Sequence, residues 1–255
     1  MHDRVIVITG ASSGFGALIA RRCAARGARV VLAARTTEHL EQLAGELGGA
    51  MRALAVPADV TRDEDVQQLR DATLARFGRV DVLVNNAGFG IFAPVATASP
   101  GDLERMLAVN LHGAIRCTQA FLPALHASGA GQIVMMASLG GLVAAPNMGY
   151  YCATKFALVG LARTLMLELD GGPVRCALIC PGVAATGFQR HADWSMYPRI
   201  SRLSTVSADA VAAATLRAIA RRTHGEVVIP WYGRVLAVAA VALPGLARWI
   251  TRRVG

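Results

Sequence analysis

The chain has 255 residues, of which 54% are hydrophobic and 17% charged, and it carries a net charge of +9 at pH 7. That composition excludes a disordered chain and supplies a sizeable core, enough for one large α/β domain or two small ones. The positive charge calls for anionic company, whether cofactor phosphates, an acidic substrate, nucleic acid or an anionic membrane.

Seven apolar runs read as strands, at residues 5–9, 30–34, 53–56, 80–85, 133–138, 174–180 and 227–229. They are unbroken blocks, as parallel strands buried on both faces require. Helical patterns lie between them, at about residues 14–26, 37–47, 63–77, 102–127, 150–169 and 208–221. The alternation predicts an α/β fold: one doubly wound, Rossmann-type parallel sheet of about seven strands with helices on both faces. No repeat or linker marks a second domain, so residues 1–230 form the expected domain and residues 231–255 a tail. Residues 187–206 form a long irregular connection with Phe188, Trp194, Met196 and Tyr197, a length that usually signals function.

The first strand runs into Thr9-Gly10-Ala11-Ser12-Ser13-Gly14-Phe15-Gly16. Glycines between a strand and a helix give a tight turn and let backbone approach a pyrophosphate at the helix N-terminus. Where sites for NAD place an acid at the end of the second strand, this chain has Ala33-Ala34-Arg35. An arginine there suits a 2′-phosphate, so NADP(H) is expected over NAD(H). Asn85-Asn86-Ala87-Gly88 closes the fourth strand, beside the point where strand order reverses and ligands bind. Of the 26 basic residues, Lys155 alone is lysine. It follows Tyr151 by four residues, which puts a phenol and an ammonium side by side on one helix face. A compact cation with a movable pKa beside a phenol is a proton-transfer pair. Tyr150, five residues from the lysine, falls on another face and reads as packing or pocket lining.

The five cysteines include no CxxC pair, and Cys176 and Cys180 fall on one face of an expected strand. They read as reduced core thiols of a cytoplasmic protein. Six scattered histidines in no HxxxH or HExxH pattern predict no metal site. The N-terminus enters the first strand directly, without the pattern of a signal peptide. No nucleic-acid module is recognisable.

The motifs TGASSGFG, Asp59-Val60, NNAG, Asn110, Ser138, YCATK and Pro181-Gly182-Val183-Ala184-Ala185-Thr186 stand in the order and spacing of the short-chain dehydrogenase/reductase family. The resemblance is to its short single-domain branch and covers about residues 4–229. It implies a carbonyl/alcohol oxidoreductase with Asn110, Ser138, Tyr151 and Lys155 as the catalytic set. Tyr151 would protonate the carbonyl oxygen, Ser138 would polarise it, Asn110 would hold a relay water, and Lys155 would lower the phenol's pKa and bond the nicotinamide ribose. The cofactor contacts implied are Gly10, Ser12, Ser13, Gly14, Phe15, Gly16, Arg35, Asp59, Val60, Asn86, Ala87, Gly88, Tyr151, Lys155, Pro181, Gly182, Val183 and Thr186. Asp59 and Val60 would meet the adenine and Thr186 the carboxamide. Tyr151 and Lys155 at YxxxK spacing favour carbonyl chemistry over enoyl reduction, and the absence of TGxxGxxG and of a larger C-terminal domain sets sugar-nucleotide epimerases aside. The competing reading is a cofactor-binding sensor without turnover, which has no use for a complete Ser138/Tyr151/Lys155 set.

Phe89, Leu139, Leu142, Val143, Met148, Phe188, Trp194 and Met196 are candidate substrate contacts, mostly apolar, while Arg190 and Arg199 leave room for an anionic substrate. From Arg190 onward ten arginines face only Asp193, Asp209 and Glu226. In the tail, an apolar run at residues 235–247 is interrupted by Pro244-Gly245 and too short to span a bilayer. Its flanks, Trp231, Trp249, Arg234, Arg248, Arg252 and Arg253, suit either packing, over the pocket or in a homo-oligomer (dimer or tetramer), or peripheral membrane contact. Packing is the favoured expectation.

Overall fold

The structure, a computed structural model, describes residues 1–184, 204–245 and 248–249. Seven strands pair in parallel in the order β3-β2-β1-β4-β5-β6-β7. They are β1 (Val5–Thr9), β2 (Arg29–Ala34), β3 (Ala53–Pro57), β4 (Val82–Asn85), β5 (Gln132–Met136), β6 (Arg175–Pro181) and β7 (Gly225–Ile229). The order reverses between β1 and β4, whose register sets Ile6 against Val82 and Ile8 against Val84. Loops leaving the carboxyl ends of these two strands diverge there and open a crevice.

The helices are α1 (Gly14–Ala24), α2 (Thr37–Glu46), α3 (Asp63–Phe77), α4 (Pro100–Leu107), α5 (Ala114–Ala127), α6 (Gly149–Glu168), α7 (Ala208–Ala220) and α8 (Gly233–Ala242). Alternation along β1 sorts them into two layers. Val5 and Val7 face a core shared with α3, α5 and α6, through Leu69, Phe121, Leu158 and Ala162. Ile6 and Ile8 face the opposite core, shared with α1, α2 and α7, through Ile19, Leu40 and Ile219. Cys176 and Cys180 both lie in the first of these cores, as the strand register predicts, and all five cysteines are buried and free.

Two expectations change, and the tail adds a helix. The helix expected at 102–127 is two helices joined by a π-helical turn, Ala108–Gly113, which contains Asn110. The turn lies against Val60: a Cβ on Gly113 would come within 2.6 Å of Val60 Cγ2, so only glycine lets the widened turn settle there. The strand expected at 133–138 stops at Met136, and Ser138 instead caps a single 3₁₀ turn, Leu139–Gly141, accepting from the Gly140 amide at 3.1 Å. The tail contains a further helix, α8, whose first turn rests on Leu139 and Val228 through Gly233 and whose valines and Leu236 are exposed.

Candidate active site

The glycine loop owes its shape to two contacts across the crevice. Gly10 has φ +65°, a conformation that side chains disfavour, and a Cβ there would sit 2.8 Å from Ala87 Cα. A Cβ on Gly16 would lie 2.3 Å from the Gly10 carbonyl oxygen and 2.7 Å from Asn86 Nδ2. Asn86 is the clamp: Nδ2 donates to the Thr9 and Gly10 carbonyls at 2.9 and 3.2 Å. Thr9 reciprocates, its Oγ1 accepting from the Asn86 and Ala87 amides, both at 3.0 Å. The sequence reading gave Thr9 no role; its signal was its place as the first residue of the glycine motif.

Beyond this clamp α1 begins at Gly14 with no acidic residue in its first turn, and the exposed Ser13 hydroxyl at its N-cap makes no capping bond. The end of a helix of this kind attracts anions. The Ala11 amide donates to the Ala33 carbonyl at 3.1 Å, tying the loop to the end of β2. Arg35, next after β2, is exposed, and no hydrogen bond or ion pair holds its guanidinium among the described residues. Asp59 is committed to its own turn, accepting from Thr61 N at 2.9 Å and Thr61 Oγ1 at 2.8 Å. Gly182 donates to the Ile229 carbonyl at 2.6 Å, Val183 donates to the Ser204 carbonyl at 3.1 Å, and Pro181 ends β6, so this strap is held from two sides. Thr186, Ala185, Phe188, Arg190, Trp194, Met196, Tyr197 and Arg199 lie outside the described residues.

The four residues expected to do chemistry converge. A Cβ on Gly140 would touch Tyr151 Cε1 at 3.3 Å and Ser138 Oγ at 3.5 Å, so phenol ring and hydroxyl border the same glycine. A Cβ on Gly88 would lie 3.0 Å from Asn110 Oδ1 and 3.5 Å from Lys155 Nζ. The Lys155 ammonium stands 5.9 Å from the Tyr151 ring centroid. Tyr151 itself is buried among Phe92, Met106, Met148 and Cys152, with the Phe92 ring edge-on at 5.7 Å. Such packing fixes the direction of the phenol. Met148 thus supports the tyrosine, and Leu142, partly buried, packs against the main core.

Asn110 does more than bond locally inside its helix. Its Oδ1 accepts from the Phe89 amide and its Nδ2 donates to the Phe89 carbonyl, both at 2.9 Å. The same Nδ2 donates to Thr154 Oγ1 at 3.0 Å, and Thr154 donates to the Tyr151 carbonyl at 2.8 Å. Buried Thr154 therefore ties the π-helical turn to the tyrosine-bearing turn of α6. Its signal in the sequence was only its place between Tyr151 and Lys155.

Lys155 is buried and donates to the Met136 carbonyl at 3.0 Å. An ammonium has three donors, and this is the single protein bond found for it among the described residues. Burial pushes its pKa down to about 8, opposed weakly by the neighbouring Cys180. The residues fit a dinucleotide: glycine backbone and a helix N-terminus for pyrophosphate, an unengaged guanidinium at the second strand, and an ammonium with spare donors deep in the crevice.

A family model described as short chain dehydrogenase matches residues 4–195. The chain is 41% identical over 189 residues to D-threitol dehydrogenase of Mycolicibacterium smegmatis, covering 73% of this chain and 72% of that protein. Among solved structures, a short chain dehydrogenase/reductase from Burkholderia phymatum in complex with NAD superposes with a TM-score of 0.85 at 31% identity, over 96% of this chain and 95% of that one. An alcohol dehydrogenase from the archaeon Thermococcus sibiricus, complexed with 5-hydroxy-NADP, superposes with a TM-score of 0.77 at 31% identity, over 89% and 96%.

Proposed function

The chain belongs to the short chain dehydrogenase family, and on that footing we propose that it is an NADP(H)-dependent oxidoreductase interconverting a carbonyl and an alcohol on an apolar small molecule. The observation that carries the reading is the convergence of Ser138, Tyr151, Lys155 and Asn110 on the crevice at the β1/β4 switch point. When bound, the nicotinamide cofactor supplies or accepts the hydride. The chain's part is to orient and to move one proton. In the reductive direction Tyr151 gives its phenolic proton to the substrate oxygen, and the Ser138 hydroxyl donates a hydrogen bond that polarises the same oxygen. Lys155, as the adjacent cation, would stabilise the phenolate left behind, and its spare donors would hold the ribose. Asn110, clamped to Phe89 and Thr154, keeps the π-helical turn in place beside that ammonium.

Leu139 and Val143, beside the Ser138 turn, support an uncharged, apolar substrate. NADPH oxidation against aldehydes and ketones graded in apolar size tests the reaction. Turnover that rises with apolar size until a cutoff is expected. No turnover on any carbonyl, in a protein shown to bind NADPH, overturns the enzymatic reading in favour of a sensor.

The preference for NADP(H) is supported by Arg35, exposed, unengaged and unaccompanied by an acid at the end of β2. An NAD-dependent dehydrogenase is the second reading, favoured by the NAD in the Burkholderia phymatum neighbour. Removing a charged partner from a phosphate costs about tenfold or more in affinity. Arg35→Ala should therefore weaken NADPH by about that factor and leave NADH within about threefold, read as Kd from cofactor fluorescence. Equal losses would sink the assignment. A homo-oligomer, dimer or tetramer, is part of the same proposal, supported by exposed Phe156 and Leu167 on the outer face of α6.

A further inference from the structure

We propose that α8 is a membrane-docking face, by which the protein sits on an anionic lipid surface without crossing it. No helix among the described residues is long and apolar enough to cross a membrane. What α8 has is a side turned towards the protein and a side turned away, and the side turned away carries one polar residue, Arg234, in its first turn. Gly233, Ala237 and Ala240 lie at i, i+4 and i+7, on one narrow face, and they are the least exposed residues of the helix. A Cβ on Gly233 would come within 3.0 Å of Leu139 Cδ1 and 3.1 Å of Val228 Cγ1, so the first turn rests directly on the Ser138 turn and β7. The remaining circumference carries Val235, Leu236, Val238 and Val241, all exposed, Val241 to 79%. A surface helix that meets water places polar residues on its outer face. Apart from Arg234, this one places only valines, leucine and alanines there.

The occupant follows from the flanks. Trp231 is 77% exposed at the start of the segment, Tyr232 follows it, and Trp249 is exposed beyond its end. Aromatic rings with one polar edge favour the depth of lipid headgroups. Residues 231–255 hold four arginines, Arg234, Arg248, Arg252 and Arg253, and no aspartate or glutamate. Basic residues bracketing an apolar run complement an anionic bilayer. A second copy of the chain fits less well. It would cover one side of α8 and bring like-charged arginines together, with no carboxylate in the segment to pair them. Because the first turn of α8 touches Leu139, docking would also set the Ser138 turn close to the lipid. An apolar substrate could then enter from the bilayer; that last step rests on the proposed reaction, whereas the docking does not.

The test is flotation of the full chain with two kinds of vesicle, phosphatidylcholine alone and phosphatidylcholine with phosphatidylglycerol. Sizing of the same samples and NADPH binding accompany it. The wild-type chain is expected to float with the anionic vesicles and to be released by high salt. Val238→Asp with Val241→Asp should stay at the bottom of the gradient while binding NADPH normally. Arg234→Glu should weaken partitioning by about fivefold or more, since each basic residue near such a surface contributes about that factor. A wild-type chain that ignores both vesicles overturns the proposal. So does a wild-type oligomer that does not float and that the double aspartate variant breaks into monomers, because α8 is then a subunit contact. NADPH binding reports the folded domain, so loss of flotation with binding intact cannot come from unfolding. A chain that floats yet reduces no carbonyl would leave the docking standing and remove only the reaction.

Discussion

Tyr151→Phe should leave a folded protein that binds its cofactor and turns over about a thousandth as fast, or slower. The physical reason is the division of labour within one side chain. The ring is a core element, 6% exposed and packed edge-on against Phe92 within a cluster that includes Met106, Met148 and Cys152. Phenylalanine preserves that packing. The oxygen is the proton donor of the proposed reaction, and phenylalanine has none. Measurement of kcat alongside Kd for NADPH separates the two roles: kcat collapses while Kd changes little. A variant with wild-type turnover would show that the proton comes from elsewhere. A variant that lost cofactor binding in proportion would show instead that the phenol acts as a binding group.

Lys155→Met should also abolish turnover, and it should change the stability of the free protein in a way that depends on pH. Burial lowers the folded-state pKa of this ammonium from 10.5 to about 8. Below about pH 8 both folded and unfolded chains hold the proton, and the full cost of burying the charge is present, roughly 3 kcal/mol. Between about 8 and 10.5 the unfolded chain binds more protons than the folded one, so this residue's contribution becomes more favourable as pH rises through that window. Methionine carries no charge and removes the dependence. It also leaves the Met136 carbonyl without its donor, which costs about 1–3 kcal/mol and offsets most of the gain at neutral pH. The expected result is a wild-type-minus-variant stability difference near zero at pH 7 that grows in favour of the wild type towards pH 10, read from urea unfolding. A difference that stays flat across that range would show that the ammonium is not desolvated in the folded protein. A buried cation kept at that cost is characteristic of a working site.

How far the chain was readable varies with the range of the interaction. The β-α alternation is local and periodic, and it predicts the seven-stranded parallel sheet; β1 and α3 begin and end where their patterns do. The glycine loop, the Asn-Asn-Ala-Gly turn and the Tyr151/Lys155 spacing were equally legible, because turns and helix faces follow from near neighbours in sequence. The Ser138 position was misread by two residues at the strand end, since strand and 3₁₀ turn are both apolar there.

Composition and pattern by themselves determined the fold class, the crevice at the β1/β4 reversal and the identity of the phenol and the ammonium within it. Tertiary structure alone decided that Asn110 sits in a π-helical turn and clamps Phe89, twenty-one residues away. It also decided that Thr154 joins Asn110 to Tyr151. And it decided that α8 turns its valines outward, away from the domain. A hydrogen bond between distant residues leaves no period in the sequence, and an apolar run has the same composition whether it is buried by its own domain or left for another surface to cover.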